Sequence, residues 1–156
     1  MFKSSIRFLL SVLLSIMILH FNGCQKDDNP LAPEEDHFEA IGMLIYDASG
    51  KQVAKILRGV TSDTLYAESG KISDHFTVKF YNGEEKIVNP PASEHLKFTA
   101  KIDDETVAKF WQHPGEEGEF EFHIDGVKKG KTLIEFFIQH EGHNDFRTGK
   151  IPLQIK

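Results

Sequence analysis

Apolar and polar residues alternate along most of the chain after residue 37, which is the pattern of half-buried β-strands. Phe76, Val78 and Phe80, for example, alternate with Thr77 and Lys79. Short runs of turn-forming residues, such as Asp-Ala-Ser-Gly at 47–50, separate the strands. The predicted strands cover residues 38–46, 51–58, 64–68, 76–80, 96–102, 119–125, 131–140 and 151–155.

A series of short strands with Gly- or Asn-bearing turns predicts an all-β fold, specifically an antiparallel β-sandwich of about eight or nine strands. The first two strands are expected to form an extra N-terminal hairpin, and Pro152 indicates an edge or a bulge in the last strand. Only residues 104–111 leave helix and strand both open. The core between the sheets is expected to contain Phe76, Val78, Phe80, Phe98, Phe122, Phe136 and Leu153.

The N-terminal segment has a different pattern. Lys3 and Arg7 precede an almost unbroken apolar run at 8–21, and Gly23-Cys24 follows that run. A positive start and an apolar core of about 7–15 residues are typical of a secretory signal, because a membrane-spanning helix needs about 20 apolar residues. With a small residue directly before the cysteine, the segment resembles a bacterial lipoprotein signal peptide. An uncleaved N-terminal anchor helix is the alternative.

Cys24 is the only cysteine of the chain, and the resemblance implies that it carries the lipid, with palmitate among its acyl chains. Gln-Lys-Asp-Asp at 25–28 is similar to the short signal that sends lipoproteins of some Gram-negative bacteria to the outer surface of the outer membrane; a plain polar tether is the alternative. The expected organisation is a signal peptide at 1–23, an acylated cysteine and flexible acidic tether at 24–36, and a sandwich at 37–156.

The charge balance excludes one class of partner. Residues 1–23 contain two of the 18 basic residues and none of the 24 acidic ones, so the mature chain has a net charge of about −8. Nucleic-acid binding needs clustered positive charge against phosphates, so nucleic acid is not an expected partner.

Residues 63–156 resemble a bacterial Ig-like domain of the group-2 type. The resemblance is carried by residues 65–70 and 76–80, by 96–100 followed by 104–108, and by 124–132, where a Gly-x-x-x-Gly-x-Thr turn leads into the penultimate strand. The chain departs from this pattern in its long loop at 83–94, in lacking the usual tryptophan before the Val-Ala step, and in its N-terminal hairpin. The resemblance implies a two-sheet sandwich, and such domains serve as spacers, adhesin modules and enzyme accessories.

The sequence contains no motif of a common enzyme class: G-x-S-x-G, a P-loop, G-x-G-x-x-G and H-E-x-x-H are all absent. Acidic pairs at 84–85, 103–104 and 116–117 lie in predicted turns, where neighbouring carboxylates are usually solvated. We therefore expect no enzymatic activity and no catalytic residue.

One segment carries candidate ligand chemistry. His140, His143 and Asp145 lie within six residues, in a predicted loop between the last two strands. Neutral imidazoles and a carboxylate are good ligands for zinc, copper or nickel, with zinc or copper the expected ion. In an Ig-like sandwich the loops 82–95, 112–118 and 140–146 share one end, which makes His95 or His113 a candidate fourth ligand. The alternative is a polar turn that binds nothing.

Three other residues have simpler interpretations. His123 alternates with buried positions and is expected to lie on the solvated surface. Trp111 and Tyr66 are expected to pack at the core or its rim rather than to form a platform for sugar rings.

Taken together, these patterns predict a non-catalytic, lipid-anchored protein of the outer membrane, exposed at the cell surface. It would act as a structural module or bind a protein or glycan. The alternative function is transition-metal binding by the histidines at one end of the sandwich.

Overall fold

The strands of this chain follow the alternation of its side chains. The computed structural model describes residues 38–92 and 95–156, within the unit Asp36–Lys156. The predicted signal peptide, Cys24 and the tether lie outside the described residues. The strands are β1 (Gly42–Tyr46), β2 (Gln52–Leu57), β3 (Leu65–Ala67), β4 (Lys71–Ile72), β5 (Phe76–Tyr81), β6 (Ile87–Val88), β7 (Leu96–Ile102), β8 (Ala108–Trp111), β9 (Glu121–Gly126), β10 (Gly130–His140), β11 (His143–Arg147) and β12 (Ile151–Ile155).

The first sheet has seven strands. The hairpin β1–β2 pairs with β5, and β5 pairs along its other edge with β6 and β9. Strand β9 lies between β4 and β5 on one side and β8 on the other. The predicted N-terminal hairpin is therefore confirmed as an extension of this sheet. Its turn is closed by Asp47, whose carboxylate accepts hydrogen bonds from the amide and hydroxyl of Ser49, and these bonds lower the pKa of Asp47.

The second sheet has five strands and is built on the long strand β10. One edge of β10 pairs with β7 over seven residue pairs, and the other is shared by β12 and β11. Strand β3 adds to β12 in parallel, so the sandwich is antiparallel except for this one described pair. The orders β7-β10-β12 and β5-β9-β8 correspond to strands C-F-G and B-E-D of an Ig-like sandwich.

Phenylalanine rings fill the space between the sheets. Phe98 and Phe136 stack with ring centroids 5.4 Å apart, and Phe122 of the opposite sheet lies 4.9 Å from Phe136. Burying these large side chains supplies most of the driving force that a sandwich of this size has available. The predicted core is confirmed, since each of its members is at least nine-tenths buried: Phe76, Val78, Phe80, Phe98, Phe122, Phe136 and Leu153.

The structure decides one segment that the sequence left open and corrects one prediction. Residues 104–111 contain a turn followed by strand β8, not a helix. Residues 140–146 were predicted as a loop, but His143–Arg147 forms strand β11. The short strands β4 and β6, two residues each, were missed because two residues are too few to show alternation. No helix within 38–92 and 95–156 is long and apolar enough to cross a membrane.

Thr148 closes the gap between β11 and β12 along the edge of β10. Its hydroxyl accepts a hydrogen bond from the amide of Phe136 at 3.0 Å, and its own amide donates to the carbonyl of Phe136 at 3.1 Å. Strand β12 therefore takes over from strand β11 along the edge of β10. The buried amide of Phe136, which lies at this junction, still has a hydrogen-bond acceptor.

Truncation of the stacked ring should nearly unfold the domain. We expect Phe136→Ala to lower the free energy of unfolding by about 3–5 kcal/mol, because a fully buried ring is replaced by a cavity. Glu121→Ala is the control on the outer face, with an expected change below about 0.5 kcal/mol. Urea unfolding followed by the fluorescence of Trp111, the single tryptophan, measures both. Equal losses in the two variants would contradict the assigned faces.

Removing the Thr148 hydroxyl should also destabilise the fold. Thr148→Val keeps the shape but leaves the Phe136 amide without an acceptor, at an expected cost of about 1–3 kcal/mol. Thr148→Ser keeps the hydroxyl and loses one buried methyl group, worth about 0.8 kcal/mol. A valine variant at least as stable as the serine variant would show that the hydroxyl is not what stabilises this junction.

Candidate metal site

A tight turn brings His140 and His143 face to face. His140 ends β10 and His143 begins β11, and the two residues are direct cross-strand partners. Glu141 and Gly142 between them both have positive φ, 46° and 91°. Positive φ at both central residues is the feature of a type I′ hairpin turn, whose twist matches that of the flanking strands. The two imidazoles therefore lie on the same face of the sheet, with ring centroids 5.7 Å apart.

A β-bulge turns Asp145 into the same space. Gln139 pairs with Asn144 and Ile138 pairs with Phe146, so Asp145 is the extra residue of the bulge. The bulge allows Asp145 and the buried ring of Phe146 to face inward in succession. As a result the side chain of Asp145 is only 1% exposed, although it lies next to a turn.

Both histidines contact this buried carboxylate. His143 Nε2 lies 3.1 Å from Asp145 Oδ1, and His140 Nδ1 lies 3.8 Å from Asp145 Oδ2. One ligand atom from each of the three residues can be chosen so that all lie within 4.8 Å of one another. The His140 side chain is 11% exposed, whereas that of His143 is 48% exposed. Solvent, and any ion, would reach the cluster past His143.

The start of the described chain fixes the orientation of the carboxylate. The amide of Phe38 donates a hydrogen bond to Asp145 Oδ2 at 3.1 Å, across 107 residues of sequence. The ring of Phe38 packs edge-on against Phe80 at 5.0 Å, and Phe80 packs in the same way against Phe146. A backbone donor on one oxygen leaves the other oxygen, Oδ1, directed at His143.

This arrangement suits a transition metal. At metal–nitrogen distances of about 2.0–2.1 Å, two ligand atoms of a tetrahedral zinc lie about 3.3 Å apart, between the two distances observed here. Hydrogen bonds that orient a ligating carboxylate, like that of the Phe38 amide, are a common feature of metal sites. Three protein ligands leave a fourth position for water or another ligand.

The other two sequence-predicted ligands lie outside this group. His95 is exposed and comes directly before Leu96, the residue that pairs with His140. His113 packs instead against Trp111 and His123, with ring centroids 4.6 and 4.9 Å away. The loop that carries His113 does reach this end of the sandwich, because the amide of Phe98 donates to the carbonyl of Gly118.

His123 corrects a further prediction. It was expected on the solvated surface, but it is only 8% exposed. Its ring is covered by Trp111, by His113 and by the segment before β5, whose Ser73 carbonyl lies 2.8 Å from His123 Nδ1. Alternation correctly predicted that His123 faces away from the core, but it carries no information about what covers the outer face of a sheet.

Comparisons with known proteins do not assign this chain to a family. No protein-family model matches the sequence, and no curated protein matches it. Among solved structures, the chain is similar to the crystal structure of domains 4 and 5 of the S-layer protein SbsC, with 15% sequence identity and a TM-score of 0.36. The match covers 59% of this chain and 45% of that one, so the chain spans under half of the length of that S-layer structure.

Proposed function

We propose that this chain is a non-catalytic, lipid-anchored protein of the bacterial outer membrane, and that its β-sandwich is a binding or structural module at the cell surface. The anchoring rests on Gly23-Cys24, which contains the only cysteine of the chain and is separated by Asn22 from an apolar run with a positive start. Two or more acyl chains hold a protein on a membrane stably, whereas one chain binds only reversibly.

The surface of the sandwich supports a binding module rather than an enzyme. An open groove of about 550 Å³ runs beside Tyr66 and Ile72, which are 50% and 51% exposed. A protein or glycan ligand would find an aliphatic contact at Ile72 and one free side of Tyr66, whose other face is covered by Lys156 Nζ at 3.9 Å from the ring centroid. The carboxylates of 84–85, 103–104 and 116–117 are all exposed, as expected of solvated turns rather than of an acid–base pair.

Loss of the cysteine should release the protein from membranes. We expect Cys24→Ala to remove acylation and to shift the protein out of the membrane fraction. Labelled palmitate incorporation and fractionation measure the two effects, and Ser15→Ala in the same N-terminal segment is the control that should leave both unchanged. A mutant that stays membrane-bound, together with an unlabelled wild type, would refute the lipoprotein assignment.

A second candidate function is transition-metal binding by His140, His143 and Asp145. The specific observation in its favour is the buried Asp145, with one oxygen bonded by the Phe38 amide and the other 3.1 Å from His143 Nε2. A buried carboxylate needs positive charge or several donors nearby. Zinc or copper bound by this carboxylate and the two imidazoles would place positive charge beside it, with water completing the coordination.

Metal should then stabilise the fold. At a hundredfold excess over the dissociation constant, a bound ion adds about 2.7 kcal/mol to the free energy of unfolding. The ligands must be neutral imidazoles, so protons compete with the metal and its affinity falls when the solution is acidified. Thermal melting of the chain with zinc, copper and nickel salts measures both effects.

His143→Ala is the test variant and His75→Ala the matched control, because their side chains are 48% and 45% exposed. We expect the metal-induced rise in melting temperature to vanish in the first variant and to persist in the second. An unchanged wild-type melting temperature with every metal would leave the segment as a polar hairpin turn.

A further inference from the structure

Three rings form a separate cluster on the outer face of the first sheet. Trp111 of β8 is the cross-strand partner of His123 of β9, and their ring centroids are 5.0 Å apart. His113 completes the triangle at 4.6 Å from Trp111 and 4.9 Å from His123. All three pairs are close to perpendicular, with interplanar angles of 72°, 72° and 87°. None of these residues belongs to the group of His140, His143 and Asp145.

The tautomer of His123 follows from its hydrogen bond. Its Nδ1 lies 2.8 Å from the carbonyl oxygen of Ser73. A carbonyl oxygen only accepts, so Nδ1 carries the hydrogen and the neutral ring keeps its lone pair on Nε2. This Nε2 is buried and has no hydrogen-bond partner among the described residues. A histidine that donates one ring N–H to a backbone carbonyl and presents the other nitrogen is the usual form of a metal ligand.

The topology shows which way Nε2 faces. Strand β9 lies between β4 and β5 on one side and β8 on the other. Since Nδ1 is directed at Ser73, next to β4, the opposite side of the ring is directed at β8, where Trp111 and His113 lie. Nε2 therefore faces away from Ser73, and the rings of Trp111 and His113 lie 5.0 and 4.9 Å from the His123 ring.

The loop holds His113 in position. The side-chain amide of Gln112 donates to the carbonyls of Glu119 and Glu121 at 2.7 and 3.0 Å, and its oxygen accepts from the Gly118 amide at 3.0 Å. The amide of Glu116 donates to the carbonyl of His113 itself at 2.9 Å. His113 is exposed, so an ion can reach it from solvent.

We propose that His113 and His123 bind a soft monovalent cation, Cu(I) or its analogue Ag(I), with the ring of Trp111 as a third, π-face contact. With metal–nitrogen bonds of about 2 Å, a shared ion lies about 3 Å from each imidazole centroid, so the centroids can be at most about 6 Å apart. The observed 4.9 Å satisfies this limit with a bent N–metal–N angle.

The donor set selects the kind of ion. Zinc in proteins takes four ligands from nitrogen, sulfur and oxygen, whereas this cluster offers two nitrogens and an aromatic face. Tryptophan is the aromatic side chain that attracts cations most strongly, through the negative face of its π-system. Imidazole nitrogens suit copper as well as zinc, and the indole face favours a polarisable cation that needs few other ligands.

Trp111 is the only tryptophan, so its fluorescence reports on this cluster alone. Silver nitrate is titrated into the full chain, purified in detergent in a chloride-free buffer. We expect a saturable loss of Trp111 emission with a stoichiometry of a single ion per cluster. Loss of a residue that only orients a ligand costs roughly 10- to 100-fold in metal affinity. If His113 is itself a ligand, His113→Ala should lower the affinity for silver by more than that. His75→Ala, which removes an exposed histidine outside both clusters, should titrate like the wild type.

Three outcomes would overturn the proposal. Emission that is unchanged by silver, or that declines linearly without saturation, would mean that the rings only pack against one another. Equal titrations of the wild type and His113→Ala would mean that silver binds elsewhere. Saturable quenching by zinc that His113→Ala abolishes would show a divalent site instead. Because His113 is exposed, its replacement leaves the fold intact, and an unchanged urea midpoint verifies this.

Discussion

Strand β10 is the element on which the rest of the structure depends. Its backbone pairs with β7 on one edge and with β12 and then β11 on the other, so every strand of the second sheet except β3 is bonded to it directly. Its inward side chains, Ile134, Phe136 and Ile138, are fully buried against the first sheet. An uninterrupted strand of eleven residues makes this possible, since two shorter partners can share one edge only if the central strand continues past both.

The candidate metal site is a consequence of where β10 ends. His140 is its last residue, and the type I′ turn places His143 beside it, so the spacing of the two imidazoles is set by backbone hydrogen bonds rather than by loop conformation. The bulge at Asp145 adds the carboxylate, and the Phe38 amide orients it. The site therefore connects the start of the folded domain to its last hairpin.

Strands with at least five residues and strict alternation were predictable from the sequence. Leu96–Ile102 and Ile151–Ile155 have the predicted bounds. In both, the residues that alternate between buried and exposed are also the residues that pair with a neighbouring strand. The site was predictable in part: spacing singled out His140, His143 and Asp145, but as a loop. A bulge has no sequence signal comparable to that of a turn. Strand β11 is also mostly polar, and its one buried ring, Phe146, is too little to show the alternation of a strand.

By itself, the sequence determined the all-β fold class, the faces of the long strands and the phenylalanine core, because the period of two in a strand is a local property. Only the tertiary structure decided which histidines meet. His113 belongs with Trp111 and His123, not with His140, and His123 is buried on a face that alternation assigns to solvent. Such contacts depend on which strands and loops cover the outer face of a sheet. That covering is set by contacts between residues as far apart in sequence as Ser73 and His123, and a local sequence pattern contains no information about them.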